Sequence, residues 1–440
     1  MMRKVLLLII IVTSAFTYVS AQKILSLEEA VATALKNNYD IQLAKIDSSS
    51  SALDYSYRWV AFIPRLNATT GIVFNNNDQL QKFSNGNIRQ AKNVRSDVIN
   101  GNLQLNWTLF DGLKMFATRD KLEEIVKLGE LNIKNNIVNT IADVINNYYN
   151  IVRQKQQLKA IEEQMSISTE RVRLADKKLS VGLGSKPELL QAKVDLNAQK
   201  ASQLRQQALI AQLKDQLNIT MNIEATSSVY DVSDSIPFKD DLKIDEIINE
   251  AEKANPLLQI ARKNIDITKL TLKEQKADRF PSLTFNSNYN YSRTDNSTAI
   301  NPNLPIYSRN NGFNYGLTIG IPILNGLSVQ RQIKQTQIDL RFQQVNLDRQ
   351  KATINLGIMV AFKDYQLQKQ DLALEEENIN LARENVSIAL ERFKQGVSTF
   401  LELREAQKSL EDAFNRLIAA RYNTKLAETE LLRLKGDIIK

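Results

Sequence analysis

Gly182-Leu183-Gly184-Ser185-Lys186-Pro187-Glu188-Leu189-Leu190-Gln191-Ala192 returns later in the chain as Gly396-Val397-Ser398-Thr399-Phe400-Leu401-Glu402-Leu403-Arg404-Glu405-Ala406, at a constant offset of 214 residues. Both copies follow a long helical pattern and open another. Glycine ends helices because it enters the left-handed conformation at little cost. Ser185 and Thr399 stand where an N-cap belongs, with Glu188 and Glu402 at capping-box spacing. Each copy reads as the tip of a helical hairpin, and the pair marks a chain built twice.

The duplication reaches outward from the tips. Leu25 to Ala30 aligns with Leu242 to Ile247, and Asn38 with Asn255, at an offset of 217. Pro64 aligns with Pro281 at the same offset, whereas Phe110-Asp111-Gly112 matches Leu324-Asn325-Gly326 at 214. The length change therefore falls within residues 65–109, where a variable loop is expected. Repeats of this size are not solenoid units. The expected division is repeat 1 over residues 22–230 and repeat 2 over 231–440.

Each repeat follows one plan. A helix over about 27–61 leads to a strand at about 65–75. An Asn-rich exposed loop is expected over 75–98, then a second strand at about 101–110. In that strand Leu103, Leu105, Trp107 and Leu109 alternate with polar residues, the signature of one apolar and one polar face. A proline-free helix from about 113 to 181 would be on the order of 100 Å long, which suits a coiled-coil shaft better than a compact domain. A return helix over about 187–217 ends in a mixed polar stretch, 219–241. Repeat 2 gives a helix over 244–279, strands at about 282–292 and 314–324 around a loop at 293–312, a second long helix to Gln395, the tip near 396–402, and a final helix to about Lys435.

Composition removes several function classes. The 440 residues contain no cysteine and no histidine. Disulfides, zinc–thiolate sites and every His-dependent catalytic pair are thereby excluded. No enzyme activity, cofactor or metal site is expected. The formal charge is +8, without the interleaved basic and aromatic residues that nucleic acid would call for. Residues 1–21 read as a secretory signal, with Arg3 and Lys4 before an apolar run and Val19-Ser20-Ala21 at the cleavage point. Without cysteine, N-terminal lipidation is not expected. No later apolar run reaches transmembrane-helix length.

Four strands of nine to eleven residues suit tilted membrane spans, and aromatic residues fall at or near their expected ends (Phe74, Tyr289, Tyr291, Tyr315). Four strands cannot close a barrel, and an open edge cannot face lipid. Several chains must then share one barrel. A soluble periplasmic coiled-coil scaffold would explain the helices but not the four strands, an adaptor protein would carry one helical hairpin and not two, with flanking β domains richer in glycine, and an exported carboxylate enzyme would need paired acids in a cleft.

The duplicated order and the two tips resemble the TolC-like outer membrane efflux protein family over almost all of residues 22–440. The resemblance implies a mainly α fold with a β-barrel contribution. It implies a homotrimer whose twelve strands form one barrel in outer membrane lipid, and whose helices form a periplasmic tunnel with an equatorial belt near 219–241. A periplasmic adaptor (membrane fusion) protein and an inner-membrane pump are the implied partners. No nucleotide-binding loop is present to power the channel itself. The family's acidic constriction maps onto Glu402 and Glu405, where a familiar pattern has Asp at both positions. Two rings of carboxylates there would favour cations. Adaptor docking maps onto Gly182, Leu183, Glu188, Leu189, Gly396, Val397 and Leu403.

Overall fold

The computed structural model describes residues 23–224, 230–239, 242–297, 305–436 and 438. The signal segment, and part of the expected belt and of the 293–312 loop, lie outside these residues. The elements in chain order are β1 Lys23–Leu25, α1 Leu27–Asn37, α2 Tyr39–Ser56, a 3-10 turn Arg58–Phe62, β2 Arg65–Lys82, β3 Ile88–Phe110, α3 Lys114–Ser180 and α4 Lys186–Met221, followed by β4 Tyr230–Val232, α5 Ile244–Ala254, α6 Pro256–Ala277, β5 Ser282–Asn296, β6 Tyr307–Gly320, α7 Ser328–Lys394 and α8 Phe400–Lys435. They form two compact units, the described residues of 23–46, 130–260 and 348–438, and those of 47–129 and 261–347.

In the second unit, β2, β3, β5 and β6 make one antiparallel sheet in the order β2-β3-β5-β6. The ladder brings Leu103 opposite Tyr289 and Trp107 opposite Phe285, while Gln104 meets Asn288. Asn288 in turn meets Asn314, and Asn67 meets Gln104. One face is therefore apolar, and the other carries whole rungs of amides. Among the described residues neither β2 nor β6 has a second partner strand. Trp107 donates its indole N–H to the Phe62 carbonyl at 2.8 Å. Phe62 also stacks edge-on with Phe116, with ring centroids 5.1 Å apart. An aromatic cluster thus stands where the strands meet the helices.

The strands outrun their expected lengths. The stretch expected as a loop over 75–98 is mostly paired backbone, with only residues 83–87 left as the turn. A bulge falls between Asn77 and Gln79, where Asn93 takes a positive φ of 55° and donates its backbone N–H to Asp78. Polar Asn and Gln hid this strand because neither face is apolar there, so the period-two signal vanishes. Phe74, Tyr289 and Tyr291 consequently lie inside strands rather than at their ends. The strand expected to reach 324 stops at Gly320, since Pro322 has no N–H to offer a ladder.

Both leading helices are broken where one continuous helix was expected. Asn38 ends α1, and its side-chain oxygen caps α2 by accepting from the Asp40 N–H at 2.9 Å. Asn255 does the same for α6 through the Leu257 N–H, also at 2.9 Å. Each spends its amide donor on a distant carbonyl, Thr220 at 2.9 Å and Leu434 at 2.7 Å. The entries to the long helices are also duplicated. Gly112 and Leu113 have φ of 73° and 71°, and Gly326 and Leu327 have 60° and 62°. A left-handed leucine costs on the order of 1–2 kcal/mol, and both halves tolerate it at the same place.

The first unit is a coiled-coil assembly. On α7, Ile358, Tyr365, Leu372, Ile379, Val386 and Phe393 are buried at strict seven-residue spacing. On α8, Leu403, Leu410, Leu417, Thr424 and Leu431 repeat the interval, and so do Ala406, Ala413, Ala420, Ala427 and Leu434. A sustained heptad requires left-handed supercoiling to keep its seam facing the partner. Alanine on every second seam position lets α7 and α8 approach closely, with Ala160, Ile167 and Leu174 of α3 against them. A second core gathers around Tyr148, whose hydroxyl donates to the Leu25 carbonyl at 2.8 Å beside the short parallel β1–β4 pair.

Candidate pore constriction and hairpin tips

At the first tip, Gly182 has φ 76°, and the Leu183 N–H returns to the Lys178 carbonyl at 2.8 Å. At the second, Gly396 has φ 75°, and the Val397 N–H returns to Arg392 at 2.9 Å. Both satisfy the orphan carbonyls of a helix end in the same way. Ser185 accepts from the Glu188 N–H at 3.4 Å, and Thr399 from the Glu402 N–H at 3.2 Å. The expected reciprocal capping box is not completed. The Glu402 carboxylate instead accepts from the Thr399 hydroxyl at 3.3 Å.

The residues singled out in the sequence divide by burial. Leu183 and Val397 are exposed at the tips, Glu188 is half-buried, and Leu189 and Leu403 are buried. The two leucines hold the hairpins closed and cannot offer their side chains to a partner in this state. Glu402 and Glu405 are both exposed on α8, and three-residue spacing puts them on one face. Neither makes an ion pair among the described residues. The two tips are tied by Lys178, which donates to the Phe393 carbonyl at 2.9 Å with its ammonium 3.7 Å from the Phe393 ring centroid.

A network missed in the sequence lies behind the tips. The Arg171 side chain is only 2% exposed, and donates to Asp195 at 2.6 Å and to Gln407 at 2.7 Å. Its guanidinium stands 5.0 Å from the Phe400 ring centroid. Asp195 also accepts from Gln191 at 2.8 Å and lies 3.3 Å from Arg404. Burial pushes the Arg171 guanidinium down, against the pull of Asp195. This cluster joins α3, α4 and α8, and together with Glu405 it lines a polar depression of about 440 Å³. The sequence signal was available: Gln164, Ser168, Arg171 and Ala175 fall on one helix face, so an arginine occupies a position that the flanking small and polar residues mark as interior.

Among the described residues no three Asp or Glu side chains could hold a metal ion, and no helix is long and apolar enough to cross a membrane. The membrane-compatible surface is the two-faced sheet. These features define a class of protein that combines an amphipathic antiparallel sheet with duplicated helical hairpins. The family model of the outer membrane efflux protein matches residues 30–219 and again 247–437. The outer membrane protein TolC of Vibrio cholerae is 18% identical over 379 residues, covering 86% of this chain and 83% of that protein. TolC of Escherichia coli K12 is 20% identical over 363 residues, covering 81% and 73%. The CmeC outer membrane channel of Campylobacter jejuni superposes with a TM-score of 0.77 at 16% identity, covering 93% of this chain and 85% of that one. The chain belongs to the outer membrane efflux protein family. It is an outer membrane component of efflux or type I secretion and spans into the periplasm.

Proposed function

We propose that three copies of this chain close a twelve-stranded barrel, and that their helical hairpins form a periplasmic tunnel fed by an adaptor protein and an inner-membrane pump. The observation that carries the reading is the unfinished sheet: β2 and β6 leave their outer edges unpaired among the described residues, which lipid does not permit. A second copy's β2 beside β6 would complete the ladder. The helices support the same assembly. Leu367, Leu374, Leu381 and Ile388 run along α7 at seven-residue spacing, each more than half exposed. That stripe lies outside the protomer's own seam and suits a neighbouring copy. The two repeats, 22–230 and 231–440, would place six similar hairpins around the axis.

In this assembly Glu402 and Glu405 form two carboxylate rings at the inner end, favouring cations. Leu183, Val397 and Glu188 form the adaptor's docking surface, with Gly182 and Gly396 setting the turn and Leu189 and Leu403 holding it from within. The test is a planar-bilayer recording of the purified protein under a KCl gradient, alongside its mass in detergent. A trimer preferring cations is expected, and E402Q/E405Q should lower the cation preference severalfold without changing the mass. A monomer sinks the shared barrel, and an unchanged reversal potential in the double variant sinks the constriction.

A further inference from the structure

The apolar face of the sheet ends toward its loops in a patch of charge. On that face the rung of Ile72 and Ile99 carries Arg293 and Arg309, the next carries Phe74, Asp97, Asp295 and Tyr307, and the one beyond carries Asn76 and Arg95. Arg293 and Arg309 stand directly opposite each other in the ladder. Like charges so placed destabilise a sheet unless an anion joins them. Asp295 engages Arg293 at 2.7 Å, and Arg293 lies 5.6 Å from the Tyr307 ring centroid. Arg95 and Arg309 are exposed and form no ion pair among the described residues. Asp97 faces Asp295 across the strands, so the patch holds an excess of guanidinium over carboxylate without being uniformly basic.

Depth places the patch. Trp107 lies on the same face at the helix end of β3, twelve residues from Arg95. Twelve residues make ~40 Å of strand, or ~30 Å of membrane depth at a tilt near 40°. If Trp107 marks one interface, Arg95 stands in the opposite headgroup layer, and Arg293 and Arg309, on the rung of Ile99 four residues nearer Trp107, lie ~10 Å deeper, from where their long side chains snorkel toward the headgroups.

We propose that Arg95, Arg293 and Arg309 form a binding site for a phosphorylated glycolipid of the outer leaflet. Its acyl chains lie along the apolar face, and its phosphate oxygens accept from the guanidinium N–H groups. Guanidinium binds phosphate through paired hydrogen bonds, and the apolar strip beneath supplies the hydrocarbon contact. The site rests on reading the sheet as barrel wall with its loops outward.

The test is lipid retention by the purified, detergent-solubilised protein, measured by native mass spectrometry with diphosphoryl lipid A, monophosphoryl lipid A and a neutral glycolipid. The diphosphoryl form should be retained best. R95Q and R309Q should each weaken retention about fivefold, and together ~25-fold. Equal retention of the neutral glycolipid, or wild-type retention by the double variant, overturns the site. So does an R309Q protein that retains lipid but assembles poorly, since Arg309 would then serve the contact between copies. Conductance in phosphatidylcholine bilayers separates the two readings: R95Q/R309Q should conduct as wild type, whereas a wild-type protein that does not conduct speaks against the channel and not against the lipid site.

Discussion

Replacing Asp195 by asparagine strands a buried charge. The Arg171 side chain is 2% exposed and that of Asp195 is 17% exposed. Removing one partner of a buried ion pair costs about 3–5 kcal/mol. Asparagine keeps an acceptor oxygen, Gln407 still accepts from Arg171 at 2.7 Å, and Asp195 is not wholly enclosed. The expected loss is therefore about half, ~2 kcal/mol. It should appear as faster opening of the segments that the pair joins. Amide hydrogen exchange in α3 near Arg171 and in α8 near Gln407 should speed up ~30-fold. R171M removes the charge that D195N strands, so R171M/D195N should return exchange to within ~5-fold of the wild-type rate, with a coupling of ~1 kcal/mol or more in the double-mutant cycle. An effect of D195N below threefold, or additive effects in the double variant, would refute the argument that a buried charge needs this carboxylate.

Two further outcomes are expected. Gly112 and Gly326 occupy matching positions with positive φ, but a Cβ on Gly326 meets nothing within 4 Å, whereas one on Gly112 collides with the Ala277 carbonyl oxygen and comes 2.9 Å from the Phe280 Cβ. G326A should cost ~1 kcal/mol through the backbone alone, and G112A at least ~3 kcal/mol, read as thermal unfolding in detergent; equal costs would show that the local crowding is not decisive. At Glu124, hydrogen bonds from Lys263 and then Lys127 hold the carboxyl below its ordinary value, against burial. The stability it contributes is full above about pH 4.5, its unperturbed value, and is lost as pH falls through the lowered value in the folded protein. E124Q should cost ~1 kcal/mol at pH 7, and that difference should close on acidification; a gap unchanged at pH 3 would sink the assignment.

The sequence by itself determined the plan of this protein. Helix and strand periodicity depends on local spacing, so α3, α7 and the apolar faces around Leu103 and Tyr289 were legible, and the glycine tips fixed the two turns. Duplication added confirmation that no single motif carried. Where both faces of a strand are polar the spacing carries no signal, so the outer parts of β2 and β3 read as loop. Only the ladder, pairing residues 75–82 with residues 88–96 across the turn at 83–87, made them sheet. Asn38 and Asn255 likewise sit in helical patterns, and become breaks because Thr220 and Leu434, both far along the chain, accept their amide donors. Arg171 showed its interior position only through the face of its helix, and its pairing was not legible for the same reason. A charge can be buried only when its partners arrive from other elements, and Asp195 and Gln407 come from α4 and α8. Burial and pairing are properties of the assembled structure, whereas periodicity belongs to the chain.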